Sequence, residues 1–129
     1  MNKKDVKYSI LELAHVSKGN TYKETLNNSR DLAKLAETKG YHRFWFAEHH
    51  NMEHVGSSAT SLLMGYIAEN TEKIRVGSGG IMLPNHSPLV IAEQFGTLAR
   101  LYPDRADLCF GRLPASSAHT TRTDRRTLI

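Results

Sequence analysis

Three side chains that titrate or coordinate stand in consecutive positions, Glu48-His49-His50, directly after the apolar run Phe44-Trp45-Phe46-Ala47. A run of that kind carries backbone into a core. Polar groups at the point where it emerges are how an α/β protein builds a site. An imidazole there works as a general base near neutral pH, and a neighbouring carboxylate orients it or raises its basicity. On this reading His49 is the acid/base residue and Glu48 its orienter. The plainer reading, one histidine packed and the other solvated, suits a lone histidine better than three polar residues in a row.

Other stretches offer further chemistry. His50 and His54 are four apart, with Glu53 beside the second. On a helix that spacing puts two imidazoles on one face, as a zinc site requires. The segment reads as loop, however, and no cysteine or acidic partner comes after it at ligand spacing, so no metal is expected. Gly77-Ser78-Gly79-Gly80 lacks the spacing of a phosphate loop and its Lys-Ser/Thr pair. Glycines at a strand end let backbone lie flat against a ring system or take an unusual peptide geometry, although a tight turn would use them equally well. Arg112, after Gly111, would project from the same rim as His49 and suits a phosphate or carboxylate, unless it is a surface arginine of a basic tail. Asn85-His86-Ser87-Pro88 could add polar contacts there. Cys109 reads as a buried, small apolar residue in a strand and not as a nucleophile.

The elements that position these residues are read from periodicity. A first strand is read over 8–14. Thr21-Tyr22-Lys23-Glu24 has the form of a capping box and opens a helix with Leu26, Leu32, Ala33, Leu35 and Ala36 on its apolar stripe; Gly40 stops it. The second strand runs over 41–47. After a loop, a second helix covers 59–70, with Leu62, Leu63, Tyr66 and Ile67 inward and Ser57 or Ser58 as cap. A third strand covers 73–78. A third helix starts near Pro88 and runs to Leu101 through Val90, Ile91, Phe95 and Leu98. A fourth strand is expected over 106–110. The order β-α-β-α-β-α-β implies a parallel sheet covered by helices. Two completions are open, a doubly wound sheet or the first half of a (β/α)8 barrel. The domain is expected over residues 1–112, with 113–129 a basic, weakly structured tail.

With 129 residues, 40% of them hydrophobic and 23% charged, the composition is that of one soluble globular domain. No run is long enough for a membrane span, and no signal-peptide core comes after the charged N-terminus. A single cysteine excludes an intrachain disulfide. Together these point to the cytoplasm. The net charge is +4. Most of the excess lies in the last stretch, where Arg112, Arg122, Arg125 and Arg126 face only Asp124. No basic stripe with interleaved aromatics exists, which argues against nucleic acid as a partner.

Three blocks, 44–50, 75–88 (Arg75-Val76-Gly77-Ser78-Gly79-Gly80 through Pro88) and 92–98 (Ala92-Glu93-Gln94-Phe95-Gly96-Thr97-Leu98), agree in order and spacing with one family. In them the chain resembles the amino-terminal part of the bacterial luciferase-like flavin-dependent monooxygenases, and its alkanal-monooxygenase-like members more than the light-emitting subunits. The resemblance implies a (β/α)8 barrel and reduced FMN, supplied by a separate flavin reductase and used with oxygen on an aldehyde-like small molecule. It also implies roles. His49 matches a histidine of the flavin chemistry, with Glu48 its neighbour. Gly79 and Gly80 match a non-prolyl cis peptide beside the flavin ring. Arg112 matches an arginine near the flavin phosphate. The chain departs from the family at Leu113-Pro114-Ala115, where Ala-Pro-Gly is usual, and at Cys109, where glycine is usual.

The family's chains run well past this length, so the sequence reads as a truncated form carrying about three and a half of eight βα units. Such a half barrel exposes sheet edges and apolar faces. It is expected to be unstable alone or to form a homodimer that completes the core. The alternatives are an inactive fragment that binds no flavin and at most associates with a full-length homologue, or a flavin- or deazaflavin-dependent dehydrogenase of the same superfamily.

Overall fold

Apolar residues alternate along the second strand, and that alternation places everything else. The computed structural model describes residues 6–111 of the chain. The elements are β1 (Ser9–Glu12), α1 (Tyr22–Thr38), β2 (Arg43–Phe46), α2 (Thr60–Glu69), β3 (Arg75–Ser78), β4 (Ile81–Met82), a 3-10 turn (Leu83–Asn85), α3 (Pro88–Leu101), β5 (Ala106–Asp107) and β6 (Phe110–Gly111). Strands β1-β2-β3-β5 form one parallel sheet in chain order, and β4 pairs with β6 in a second. In register, Ile10, Phe44 and Val76 lie side by side, as do Leu11, Trp45 and Gly77.

Phe44 and Phe46 are fully buried and touch edge to face at 5.4 Å between ring centroids. With Val76 they face Ala33 and Ala36 of α1, Met64 and Ile67 of α2, and Ile91 and Phe95 of α3 in one core. Arg43 and Trp45, which alternate with them in sequence, face the other way and stay half-buried. All three helices thus cover one face of the sheet. Among the described residues the other face carries no helix, and Leu11 there is 57% exposed. A doubly wound sheet buries both faces under helices. Sequential strand order with helices on one side is the wall of a (β/α)8 barrel, so the chain is the first, incomplete part of such a barrel.

Local signals explain most element boundaries. The capping box forms as expected, Thr21 Oγ1 accepting from Glu24 N while the Glu24 carboxylate accepts from Thr21 N. Gly40 comes after α1 at φ +76°, the left-handed conformation that ends helices on glycine. Other expectations are corrected. In α1 the buried stripe is Thr25, Ser29, Ala33 and Ala36, whereas Leu32 and Leu35 are exposed; small side chains let the helix lie close on the sheet. In α2 and α3, Leu62, Val90 and Leu101 are likewise exposed. Neither Ser57 nor Ser58 caps α2: its N-cap is Ala59, without a side-chain bond.

The fourth strand is broken. Ser78 Oγ accepts from Cys109 N at 2.9 Å and donates to Cys109 O at 3.0 Å, and Ile81 N also donates to that carbonyl. These bonds replace the regular ladder after β5 and pass the chain to β6, which pairs with β4. Cys109 is exposed, not buried.

At the opposite end of the sheet, polar bonds fix the frame. The Glu37 carboxylate accepts the N–H groups of Glu72, Lys73 and Ile74, tying the end of α1 to the start of β3. Arg105 donates to the carbonyls of Ala68 in the last turn of α2 and of Thr71 and Ile74 beyond it. On the uncovered face, Asp107 accepts from Arg43 Nε at 2.6 Å and takes a two-point bond from Arg75 at 2.8 and 2.6 Å. Burial pushes the Asp107 carboxyl up, but hydrogen bonds from Arg75 and Arg43, with their charges, outweigh it and hold the group below its usual range. A lowered folded-state value means stability that is present above the unfolded carboxylate range and lost as pH falls through the folded value. Asp107→Asn is therefore expected to cost about 2 kcal/mol in urea unfolding at pH 7. That difference should shrink toward zero below about pH 4. A deficit that did not change between pH 7 and pH 3 would contradict the assignment.

Candidate functional site

Beyond Phe46 the chain keeps its alternation for a few residues. Ala47 N still bonds Glu12 O at 3.0 Å. Glu48 and His50 then face one way and His49 the other. The Glu48 side chain is 1% exposed. A carboxylate buried to that degree needs partners for both oxygens. Its Oε2 accepts from Met82 N at 3.0 Å. Its Oε1 lies 2.6 Å from His50 Nε2 and 2.6 Å from His86 Nε2. The two imidazoles are 6.2 Å apart between ring centroids and tilted to each other. Glu48, His50 and Met82 therefore join the end of β2 to β4, and His86 adds the 3-10 turn that leads into α3.

His49 does not share this cluster. Its N–H bonds Ser57 O at 3.1 Å, and its ring borders a polar cleft with Tyr22, Asn51, Glu53 and Ser58. The expected Glu48–His49 pair is thus not formed, because consecutive residues leaving a strand point to opposite sides. Glu48 positions His50 and His86 instead. The sequence placed His86 only among accessory polar contacts. Its pairing with Glu48 spans 38 positions and leaves no local trace. The one usable signal was topological, since both residues come after adjacent parallel strands on the carboxyl side. The reading of His50 with His54 as a metal pair fails for a different reason: 51–56 is loop, and His54 is exposed, contributing its carbonyl to Val16 N. Among the described residues the group with metal-ligand spacing is Glu48, His50 and His86.

The glycines after β3 are held tightly. The Gly79–Gly80 peptide is cis. A Cβ on Gly80 would stand 2.8 Å from Cys109 O, and one on Gly79 3.1 Å from Leu11 Cδ1. Leu11, Trp45 and Gly79 are thereby neighbours on the uncovered face. Trp45 also stacks on the Arg43 guanidinium at 4.8 Å, and its ring fills the space where Gly77 has no side chain. The backbone and these apolar side chains make a low floor at the sheet's carboxyl end, the end where barrels place their sites. Arg112 lies outside the described residues, as does the tail expected over 113–129.

Comparison with known proteins matches this arrangement. The family model for luciferase-like monooxygenases covers residues 6–125. A luciferase-like monooxygenase of Escherichia coli K12 is 56% identical over 126 residues, which is 98% of this chain and 38% of the relative. The chain thus spans well under half the length of that relative. The solved structure of apo-MsnO8 superposes with a TM-score of 0.89 at 45% identity, covering 93% of this chain and 36% of the other. The oxygenating constituent of a 3,6-diketocamphane monooxygenase from Pseudomonas putida, solved with FMN, superposes at 0.81 with 18% identity, over 92% and 32% of the two chains, a likeness of fold. No helix among the described residues is long and apolar enough to cross a membrane.

The carboxylate's position makes a direct test. Glu48→Ala leaves Met82 N–H and two imidazoles without their acceptor. It should destabilise the chain by about 3 kcal/mol in urea unfolding, as removal of one partner from a buried polar network does. A change below about 0.5 kcal/mol, the size of a neutral surface substitution, would contradict the burial described.

Proposed function

Because the chain belongs to the luciferase-like monooxygenase family, we propose that its strand ends contribute to a reduced-flavin site at which oxygen is used to oxidise a small, aldehyde-like molecule. The observation that carries this reading is the pair Gly79 and Gly80 at the end of β3, held without side chains where Gly79 lies against Leu11 and Trp45 on the uncovered face and Gly80 against the backbone of Cys109 and Phe110. Two successive residues without side chains, the first beside an indole and an aliphatic chain, fit a planar ring system. Any larger residue at either position would meet neighbouring atoms. Arg112 is the proposed phosphate contact, in keeping with the family resemblance. FMN is the proposed flavin, the cofactor bound in the Pseudomonas putida neighbour. When bound and reduced, it supplies the electrons that activate oxygen.

The chain's own residues have simpler tasks. The floor of Leu11, Gly79 and Trp45 excludes water from one side of the ring. His49, whose ring nitrogens bond no described residue, is the proposed proton donor or acceptor toward the reacting oxygen. Glu48 acts through position: it fixes His50, His86 and the backbone of Met82, and thereby the loops that border the cleft. A separate flavin reductase is the proposed source of reduced cofactor. A second copy of the chain is the proposed cover for the apolar surface around Tyr8 and Leu11.

Trp45 is the sole tryptophan and serves as a built-in reporter. Titrating the full chain with FMN should quench its fluorescence saturably, and Gly79→Ala should weaken that binding at least about tenfold, the equivalent of 1.4 kcal/mol. Quenching that never saturates would sink the flavin assignment. With reduced FMN and an aldehyde, oxygen uptake should fall about 10²–10⁴-fold in His49→Ala while FMN binding is kept, the range for loss of a general acid or base. An unchanged rate would remove His49 from the chemistry.

A further inference from the structure

We infer that Glu48, His50 and His86 bind one divalent transition-metal ion of the zinc type. Their ligand atoms, one carboxylate oxygen and two imidazole Nε2, all lie within 4.8 Å of one another. They come from two separate places in the chain, Glu48 and His50 from the end of β2 and His86 from the turn before α3. Both nitrogens converge on the same oxygen, Oε1. The other oxygen is held by Met82 N–H, so the carboxylate is already turned, as an outer-shell bond turns a metal ligand.

The donor set selects the ion. Two nitrogens and one oxygen suit Zn²⁺, Co²⁺ or Ni²⁺, whereas Mg²⁺ and Ca²⁺ take oxygen ligands. The single cysteine is not in the group, so a thiolate-selective ion is not favoured. Three protein ligands leave a position open, and Glu48 and His86 also border a cleft with Ser58, Thr60 and Gln94 where water can complete the coordination.

The adjustment required is small. Bonds of about 2.1 Å in a tetrahedral site hold ligand atoms roughly 3.4 Å apart. The nitrogens, now at 2.6 Å, must draw back while the ion takes the place of the protons between them. The imidazoles have room to do so: the side chains of His50 and His86 are 23% and 28% exposed, against 1% for Glu48. Glu48 has a positioning role in the flavin reading too, but neither His49 nor Gly79–Gly80 supplies a metal ligand, so the two readings are tested on different residues.

The test uses the full chain, stripped with chelator and dialysed against zinc sulfate at pH 7.5. One zinc per chain is expected, with a rise in the thermal midpoint of the unsubstituted protein. Cobalt should give visible bands of a four- or five-coordinate centre. His50→Ala and His86→Ala should each weaken zinc more than the 10–100-fold typical of an outer-shell loss, and His54→Ala should leave it unchanged. Circular dichroism checks that each variant is folded. Because the midpoint and the cobalt spectrum are read on the unsubstituted chain, they decide the matter even if a variant unfolds. Absence of stoichiometric zinc, no shift in midpoint, or binding that survives both folded alanine variants would overturn the site. FMN quenching of Trp45 should be the same with and without zinc, so failure of either reading is seen separately.

Discussion

The alternation of Phe44 and Phe46 against Arg43 and Trp45 is the constraint on which the structure depends. Each buried phenylalanine contributes about 1.5–3 kcal/mol by leaving water, and the pair belongs to the one core to which all three helices contribute. A slip of one residue in β2 would turn both rings to the uncovered face and bring Arg43 and Trp45 under the helices. Register with β1 and β3 is therefore fixed by burial, and the parallel ladder transmits it to both neighbours. The same alternation decides between sheet types. With apolar residues on one side and an Arg–Asp–Arg ladder on the other, only one face is made for helices.

The residues immediately after β2 inherit that register. Glu48 and His50 continue on one side and His49 on the other, so a tripeptide that looks like one catalytic unit is divided between two environments. The buried half is organised by the carboxylate, which joins three segments through bonds to His50, His86 and Met82. The half that faces a polar cleft holds His49. The break at Ser78–Cys109 has a comparable effect on the neighbouring strands. It ends the main sheet early and lets the short β4–β6 pair place the Glu48 contacts above the strand ends.

The family frame gives these local facts their setting. Residues 6–125 match the luciferase-like monooxygenase model, and the matched relative extends well beyond the part that this chain spans. In a closed barrel the uncovered face of Leu11, Trp45, Arg43, Arg75 and Asp107 is interior. That explains why a half-exposed sheet face carries a two-point Arg75–Asp107 bond and a packed Arg43–Trp45 stack instead of an ordinary solvated surface.

By itself the sequence determined the βα order, the Thr21 capping box, the stop at Gly40, the start of α3 at Pro88 and the family. These rest on short-range periodicity, on capping chemistry and on contiguous motifs, and each acts within a few residues. It also placed Glu48, His49, Gly79 and Gly80 at the carboxyl ends of strands. It did not fix which helix residues face inward, since Leu32, Leu35 and Leu62 are as apolar as the buried residues beside them. Only close packing on the sheet favoured the smaller Ala33 and Ala36. Tertiary structure also decided whom Glu48 binds. A carboxylate's partner is set by which strand ends meet in space, and His86 reaches it across 38 positions that no local pattern links.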